Sequence, residues 1–281
     1  MHLSGKTILV TGATGEIGSA ISRALAAEGA RVLVHYGRNQ AAADALAAEL
    51  GHGALTIDAD LADPAAPTQL WAKAEATGPI YALVNNAGIR SEVSVTDPLA
   101  DWHAVWQREM QINLTAAVDL TKAAILHFRE EGGGRILNIA SRAGQRGYSA
   151  NALPYGVSKA GLINLTKSIA RSFGGEGILC SAIAPGWVET RMAEEFIAQH
   201  GADAALSEIP IRQMATLKEL GELAAFALRP SPRSLHGAVL DVTGASSTRS
   251  ELPCVSPTTS LSFRAVLAAL VRRLLGCSPA P

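Results

Sequence analysis

A tyrosine and a lysine four residues apart, in Tyr155-Gly156-Val157-Ser158-Lys159, are the side chains of this sequence best spaced to act together. On a helix that spacing puts phenol and ammonium on one face. Tyrosine ordinarily titrates near pH 10, and an adjacent cation lowers this by roughly 1–3 units, toward the range where a group exchanges protons at working pH. Alone, Tyr-x-x-x-Lys is equally well a surface pair. Two further residues favour the chemical reading. Ser141 ends the run Asn138-Ile139-Ala140-Ser141 and can offer its hydroxyl to a carbonyl or alcohol oxygen. Asn113 falls inside a helical stretch, where asparagine is a poor helix former, which points to a polar task.

The elements that must position these groups are legible as alternation. Thr7 to Val10, Arg31 to His35, Ala54 to Asp58, Ile80 to Val84, Arg135 to Ile139, Ile178 to Ile183 and Ala238 to Val242 read as short apolar strands. Helical periodicity covers roughly 16–28, 40–50, 64–76, 101–131, 154–173 and pieces of 190–228, with Asp63 and Pro64 as a helix start. This predicts an α/β fold. A single doubly wound Rossmann-type domain spans 1–248, with a parallel sheet of about seven strands and ligands outside their carboxyl ends. Ser141 then stands where ligands bind. Residues 249–281 differ. After a Ser/Thr/Pro-rich linker, Phe263, Val266, Leu267, Leu270, Val271, Leu274 and Leu275 make a one-sided apolar stripe, with Arg264, Arg272 and Arg273 beside it. Such an extension is expected to dock on its own domain or on another subunit, with a membrane-surface helix and a partly ordered or incidental extension as the alternatives.

A phosphate site is expected after the first strand, in Thr11-Gly12-Ala13-Thr14-Gly15-Glu16-Ile17-Gly18. Glycines there allow a tight turn and let backbone N–H groups at a helix start approach a diphosphate. Glu16 is out of character, because a carboxylate near phosphates weakens their binding. At the end of the second strand, His35-Tyr36-Gly37-Arg38-Asn39 holds no acid for a ribose 2′-hydroxyl. Arg38 suits a 2′-phosphate instead, which favours NADP(H) over NAD(H).

These motifs, taken jointly, resemble the short-chain dehydrogenases/reductases over about residues 3–246. Gly12 and Gly18 match the family's TGxxxGxG loop, and Glu16 replaces its middle glycine. The resemblance assigns cofactor contacts to Gly12, Thr14, Gly15, Glu16, Ile17, Gly18, Arg38 and Asn39. Asp60 and Leu61 match an adenine-contacting pair, and Asn86, Ala87 and Gly88 belong to an NNAG segment. Pro185, Gly186, Val188 and Thr190 match a PG segment that binds the carboxamide. Asn113, Ser141, Tyr155 and Lys159 match the catalytic tetrad. In that role Asn113 orders a water joined to Lys159, and Lys159 also holds the nicotinamide ribose. Ser141 orients the substrate oxygen, and Tyr155 gives or takes its proton. The implied reaction is NADPH-dependent reduction of a ketone. The pattern is similar to 3-oxoacyl-acyl-carrier-protein reductases, which would add an acyl carrier protein as partner. A sugar, steroid or polyol dehydrogenase is the enzymatic alternative. A catalytically silent cofactor-binding regulatory protein is the other. The family implies a homotetramer or homodimer.

Over residues 190–215, Met192, Phe196, Ile197, Ile209, Pro210 and Met214 suggest an apolar-leaning substrate lid. Arg142, Gln145 and Tyr148 are further pocket candidates. In bulk the chain has 281 residues, 48% hydrophobic and 17% charged, so it can bury a full core. A net charge of −1 offers no field for nucleic acid. No signal peptide, membrane span or metal site is expected. Three scattered cysteines, Cys180, Cys254 and Cys277, fit a cytoplasmic setting.

Overall fold

Seven short runs rich in Val, Ile, Leu and Ala form the strands. They are β1 (Thr7–Val10), β2 (Arg31–Tyr36), β3 (Leu55–Asp58), β4 (Ala82–Asn85), β5 (Gly134–Ile139), β6 (Ile178–Pro185) and β7 (Val239–Val242). All pair in parallel, in the order β3-β2-β1-β4-β5-β6-β7. This is the expected doubly wound sheet. The chain builds outward from β1 to β3 and then restarts on the other side with β4. Connections therefore part between β1 and β4 and leave a crevice at the strands' carboxyl ends. The structure, a computed structural model, describes residues 1–246. The extension expected over 249–281 lies outside the described residues.

Side chains of a strand alternate between faces, and both faces are covered. Ile8, Val10, Val32, Val34 and Val84 pack under α1 (Glu16–Ala27), α2 (Gln40–Leu50) and α10 (Leu217–Leu228). Leu9, Leu33, Ile57, Leu83 and Ile136 pack under α3 (Ala66–Glu75), α5 (Ala116–Glu130) and α7 (Leu153–Phe173). A buried polar layer crosses the second face. Asn85 Nδ2 donates to Asn138 Oδ1 at 2.9 Å and to Thr121 Oγ1 at 3.2 Å, and Asn138 Nδ2 donates to Thr166 Oγ1 at 2.8 Å. These bonds fix β4 and β5 against α5 and α7. Among the described residues no helix is long and apolar enough to cross a membrane.

Three helical expectations change. The stretch 101–131 is not one helix. It is α4 (Leu99–Met110), a π-helical turn at Gln111–Thr115, and α5. Asn113 sits in that turn with its side chain bonded to a neighbouring segment, so one wider turn accommodates it. The third helix begins at Ala66, because Asp63 Oδ1 accepts from the Ala65 N–H at 2.9 Å and closes a local turn before the helix starts. The pieces of 190–228 are α8 (Arg191–His200), α9 (Ala202–Leu206) and α10, the last opened by a capping box between Thr216 and Glu219.

Candidate active site

At the carboxyl ends of β5 and β6 a cavity of about 820 Å³ is lined by Ser141, Tyr155 and Lys159, with Pro185, Gly186, Val188 and Thr190. Ser141 arrives from β5. Its Oγ accepts from the Ala143 N–H at 3.1 Å, where the short helix α6 (Ala143–Arg146) begins, and it hydrogen-bonds the Tyr155 phenol. Tyr155 and Lys159 lie one turn apart on α7, which has Pro154 in its first turn. The Lys159 ammonium is buried. It donates to Ile139 O at 2.9 Å and stands 5.7 Å from the Tyr155 ring centroid. Asn113 is buried beside them. Its Oδ1 accepts from Ile89 N at 2.7 Å, and its Nδ2 donates to Ile89 O at 2.8 Å and to Ser158 Oγ at 3.2 Å. The four residues predicted to act together are thus brought to one place.

Their electrostatics depart from the simple expectation that Lys159 pulls the phenol toward neutral pH. Burial pushes Tyr155 up to about 12, and the hydrogen bond from Ser141 offsets only part of this. Burial pushes Lys159 down to about 8, while Glu109 opposes the fall. Desolvation wins because both charged forms are taken out of water. The ammonium is also turned to a backbone carbonyl rather than to the phenol.

A second cavity, of about 560 Å³, runs along the crevice. Gly12, Thr14, Gly15, Glu16, Ile17 and Gly18 form one wall. Arg38, Asp60 and Leu61 form the far end, and Asn86, Ala87 and Gly88 lie opposite. It meets the first cavity at Ile17, Gly88 and Thr190, which line both. Gly12 has φ +61°, and a Cβ there would meet Ala87 Cα at 2.9 Å. A Cβ on Gly18 would meet Gly12 O at 2.3 Å. These positions demand glycine, and the resulting turn brings the uncapped N-terminus of α1 to the groove. Asn86 fastens the turn by donating to Thr11 O and Gly12 O at 2.8 and 3.1 Å. Such a cradle fits the diphosphate of a dinucleotide. Asn39 stands apart from both cavities: its side chain caps α2 by accepting from the Ala42 N–H at 3.0 Å.

Glu16, the acid in this loop, stays in the groove's lining and is bonded to the segment of Thr190 and Met192, which line the same groove. Oε1 accepts from the Arg191 N–H at 3.0 Å, at the start of α8. Of the lid residues, Met192 and Phe196 line the first cavity, whereas Ile209 and Met214 are buried in a small core with Ala193 and Ala205. Arg142 and Tyr148 also line the cavity, and Gln145 instead bonds Asp241 at 2.6 Å.

Two residues that sequence reasoning missed belong to the site's support. His35 Nδ1 accepts from the Gly12 N–H at 2.9 Å, and its Nε2–H donates to Ala59 O at 3.0 Å, so a neutral imidazole ties the glycine turn to β3. Burial holds it down at about 4. Glu109 is fully buried in the last turn of α4, and its Oε2 accepts from the Ser91 N–H at 2.8 Å. Burial raises its carboxyl above the ordinary range. The signal for Glu109 was present, since an acid stands four residues before Asn113 on the helix face that must turn inward.

The fold and the site agree with known proteins. A profile of the short chain dehydrogenases matches residues 6–201. A 3-oxoacyl-[acyl-carrier-protein] reductase of Synechocystis sp. is 35% identical over 248 residues, covering 86% of this chain and 97% of that protein. A D-beta-hydroxybutyrate dehydrogenase of Cupriavidus necator is 34% identical over 257 residues, covering 86% of this chain and 98% of its own. A Beutenbergia cavernae protein described as an NAD(P)-dependent gluconate 5-dehydrogenase, solved with NADP at low occupancy, superposes with a TM-score of 0.78 at 31% identity. That match covers 86% of this chain and 96% of the other. A matching profile over most of the chain, relatives of near-equal length and a parallel sheet carrying the site at its carboxyl edge together make this protein an NAD(P)-dependent oxidoreductase of the short-chain dehydrogenase family.

Proposed function

We propose that the protein reduces a ketone to a secondary alcohol with NADPH, and that Tyr155 supplies the proton. The observation that carries this is the convergence of Ser141, Tyr155 and Lys159 on one cavity that opens into the glycine-walled groove. When bound, the nicotinamide supplies or accepts the hydride. Ser141 orients the substrate oxygen through its hydroxyl. Tyr155, protonated over the working range, donates its phenolic proton to that oxygen as charge builds there. Lys159 holds positive charge below Tyr155 up to about pH 8 and stabilises the phenolate that remains. Asn113 keeps the segment at Ile89 in place beside Lys159. Gly12 to Gly18, Asp60, Leu61, Asn86, Ala87 and Gly88 would hold the dinucleotide. Pro185, Gly186, Val188 and Thr190 would seat its carboxamide, beside the cavity they line.

NADP(H) is preferred in this reading because Arg38 lines the far end of the groove and β2 ends without an acid. The solved relative holding NADP supports it. An oxoacyl thioester is one version of the ketone, in line with the Synechocystis relative. An acyl carrier is acidic and would dock on a basic helix surface, and Arg129 of α5, a candidate for it, is instead paired bidentately with Glu176. A homo-oligomer is part of the same reading. Val118 and Leu126 of α5 stay exposed and are apolar surface that pairing would cover. The test is a spectrophotometric screen of ketones with NADPH and NADH on the wild type and Tyr155→Phe. Turnover with NADPH ahead of NADH, abolished in Tyr155→Phe while NADPH still binds, is the expected outcome. Near-normal turnover in the variant would sink the mechanism, and a preference for NADH would sink the cofactor assignment.

A further inference from the structure

The catalytic cavity is walled by an excess of positive charge that proton transfer does not use. Among the described residues it is lined by Lys159, on which Glu109 acts, by Arg90, which Glu92 pairs, and by Arg142 and Arg146, with Glu208 as the carboxylate in the lining itself. Arg142 directly follows Ser141 and is only 6% exposed. Its Nη2 donates to Glu208 Oε2 at 2.9 Å, and Arg146 Nη2 donates to the same oxygen at 3.1 Å. Two guanidiniums thus converge on one oxygen. Burial works to raise the Glu208 carboxyl, but Arg146 and Arg142 outweigh it and hold it below the ordinary range. Arg90 flanks Tyr155 on the other side. Its guanidinium lies 5.7 Å from the Tyr148 ring, that ring lies 5.4 Å from the Tyr155 ring, and Arg90 Nε is buried with no partner. Arg90 is matched by Glu92, to which its Nη2 donates at 2.8 Å, and Arg142 Nη1 donates to Ser246 Oγ at 2.8 Å. Arg142 and Arg146 are left as two cations on the one carboxylate of Glu208, beside the cavity that Ser141 and Tyr155 line.

We propose that the substrate is a small oxo or hydroxy carboxylic acid, whose carboxylate is bound by Arg142 and Arg146 in competition with Glu208 while its carbonyl or alcohol oxygen lies at Ser141 and Tyr155. This rests on the ketone–alcohol reading above. Glu208 is the chain's own carboxylate in that place. It is half-exposed and sits on the irregular stretch between α9 and α10, so it can yield to a substrate carboxylate without disturbing the sheet.

The experiment compares hydroxy acids with their methyl esters, and with plain ketones and an N-acetylcysteamine oxoacyl thioester, by kcat/KM. The wild type should prefer acid to ester by about tenfold to a hundredfold, the worth of charge-assisted hydrogen bonds. Arg142→Gln should collapse that ratio toward one, and Arg142→Lys should restore part of it. Glu208→Gln should raise the ratio, because the competing carboxylate is gone, whereas a lid strap alone would predict a uniform loss on acid and ester. Benzoate, as an unreactive competitor, should inhibit the wild type and lose at least about tenfold in Arg142→Gln. Equal handling of acid and ester, a thioester preferred to both, or an unchanged ratio in Arg142→Gln and Glu208→Gln overturns the proposal. Turnover of ketones without any acid preference leaves the redox reading standing and removes only this inference. If no compound in the panel is turned over, both fall.

Discussion

Lys159 is a buried cation, and among the described residues Glu109 is the carboxylate whose charge acts on it. Helix spacing arranges this. Asn113 and Glu109, four residues apart, hold Ile89 and Ser91, two residues apart on the facing segment. Period 3.6 on one side is thereby matched to period 2 on the other. One Glu109 oxygen has no partner and remains free to act by charge. Its charge raises both Lys159 and Tyr155, so removing it lowers both. In Glu109→Gln the rising limb of the pH profile for alcohol oxidation should therefore move to lower pH, by on the order of one unit. With Tyr155 up at about 12, the window from about pH 6 to 10 lies on the rise below its midpoint, and steady-state rates there would read the shift as a faster oxidation at each pH. A profile that keeps its position while thermal stability drops would reduce Glu109 to a brace.

At the scale of elements, the interesting join is between the glycine turn and α8. Glu16 is in the first turn of α1 and also accepts from the first N–H of α8, so two helix N-termini favour its charge. That explains how an acid survives in a phosphate-binding turn. It also sets two demands against each other. Glu16→Gly should tighten NADPH binding about threefold to tenfold by removing a charge near the diphosphate. It should also speed amide exchange at the start of α8. Calorimetric titration with NADPH and exchange mass spectrometry would read the two effects. Weaker binding in the variant would show that the seat of α8 matters more than the charge.

The same elements show what a sequence discloses. Strands buried on both faces are continuous apolar runs, so all seven were readable, and the i, i+4 spacing of Tyr155 and Lys159 with Ser141 at the end of β5 led to the expectation that the three meet, as they do in one cavity. The π-helical turn was not, because its cause lies in a contact between Asn113 and Ile89, distant in the chain. His35 looked like one more residue of an apolar strand. The pKa of Tyr155 was misjudged in direction, since spacing reveals a neighbouring charge but not the loss of water around it. The arginine wall was equally hidden, with Arg90 and Glu208 far from Arg142 along the chain.

For the molecule as a whole, His35 links catalysis-side geometry to stability. An unfolded histidine takes up its proton near pH 6.5, whereas folded His35 holds off until about 4. Between these values the unfolded state binds more protons. The stability contribution is therefore complete above about pH 6.5 and is lost as pH falls toward 4, on the order of 3 kcal/mol in total. Calorimetric melting of the wild type should show this slope, and His35→Asn should flatten it. Parallel slopes for the two proteins would contradict the assignment.

The π-helical turn at Gln111–Thr115 gives the molecule an uneven tolerance to length change. Deleting one residue there would restore an ordinary helix with α4 and α5 still in phase, because the wide turn absorbs the extra residue. Glu109 and Asn113 would then stand three residues apart, and their paired grips on Ser91 and Ile89 would no longer both be met. For anyone grafting or trimming this scaffold, the bend is a fixed-length gauge between two grips.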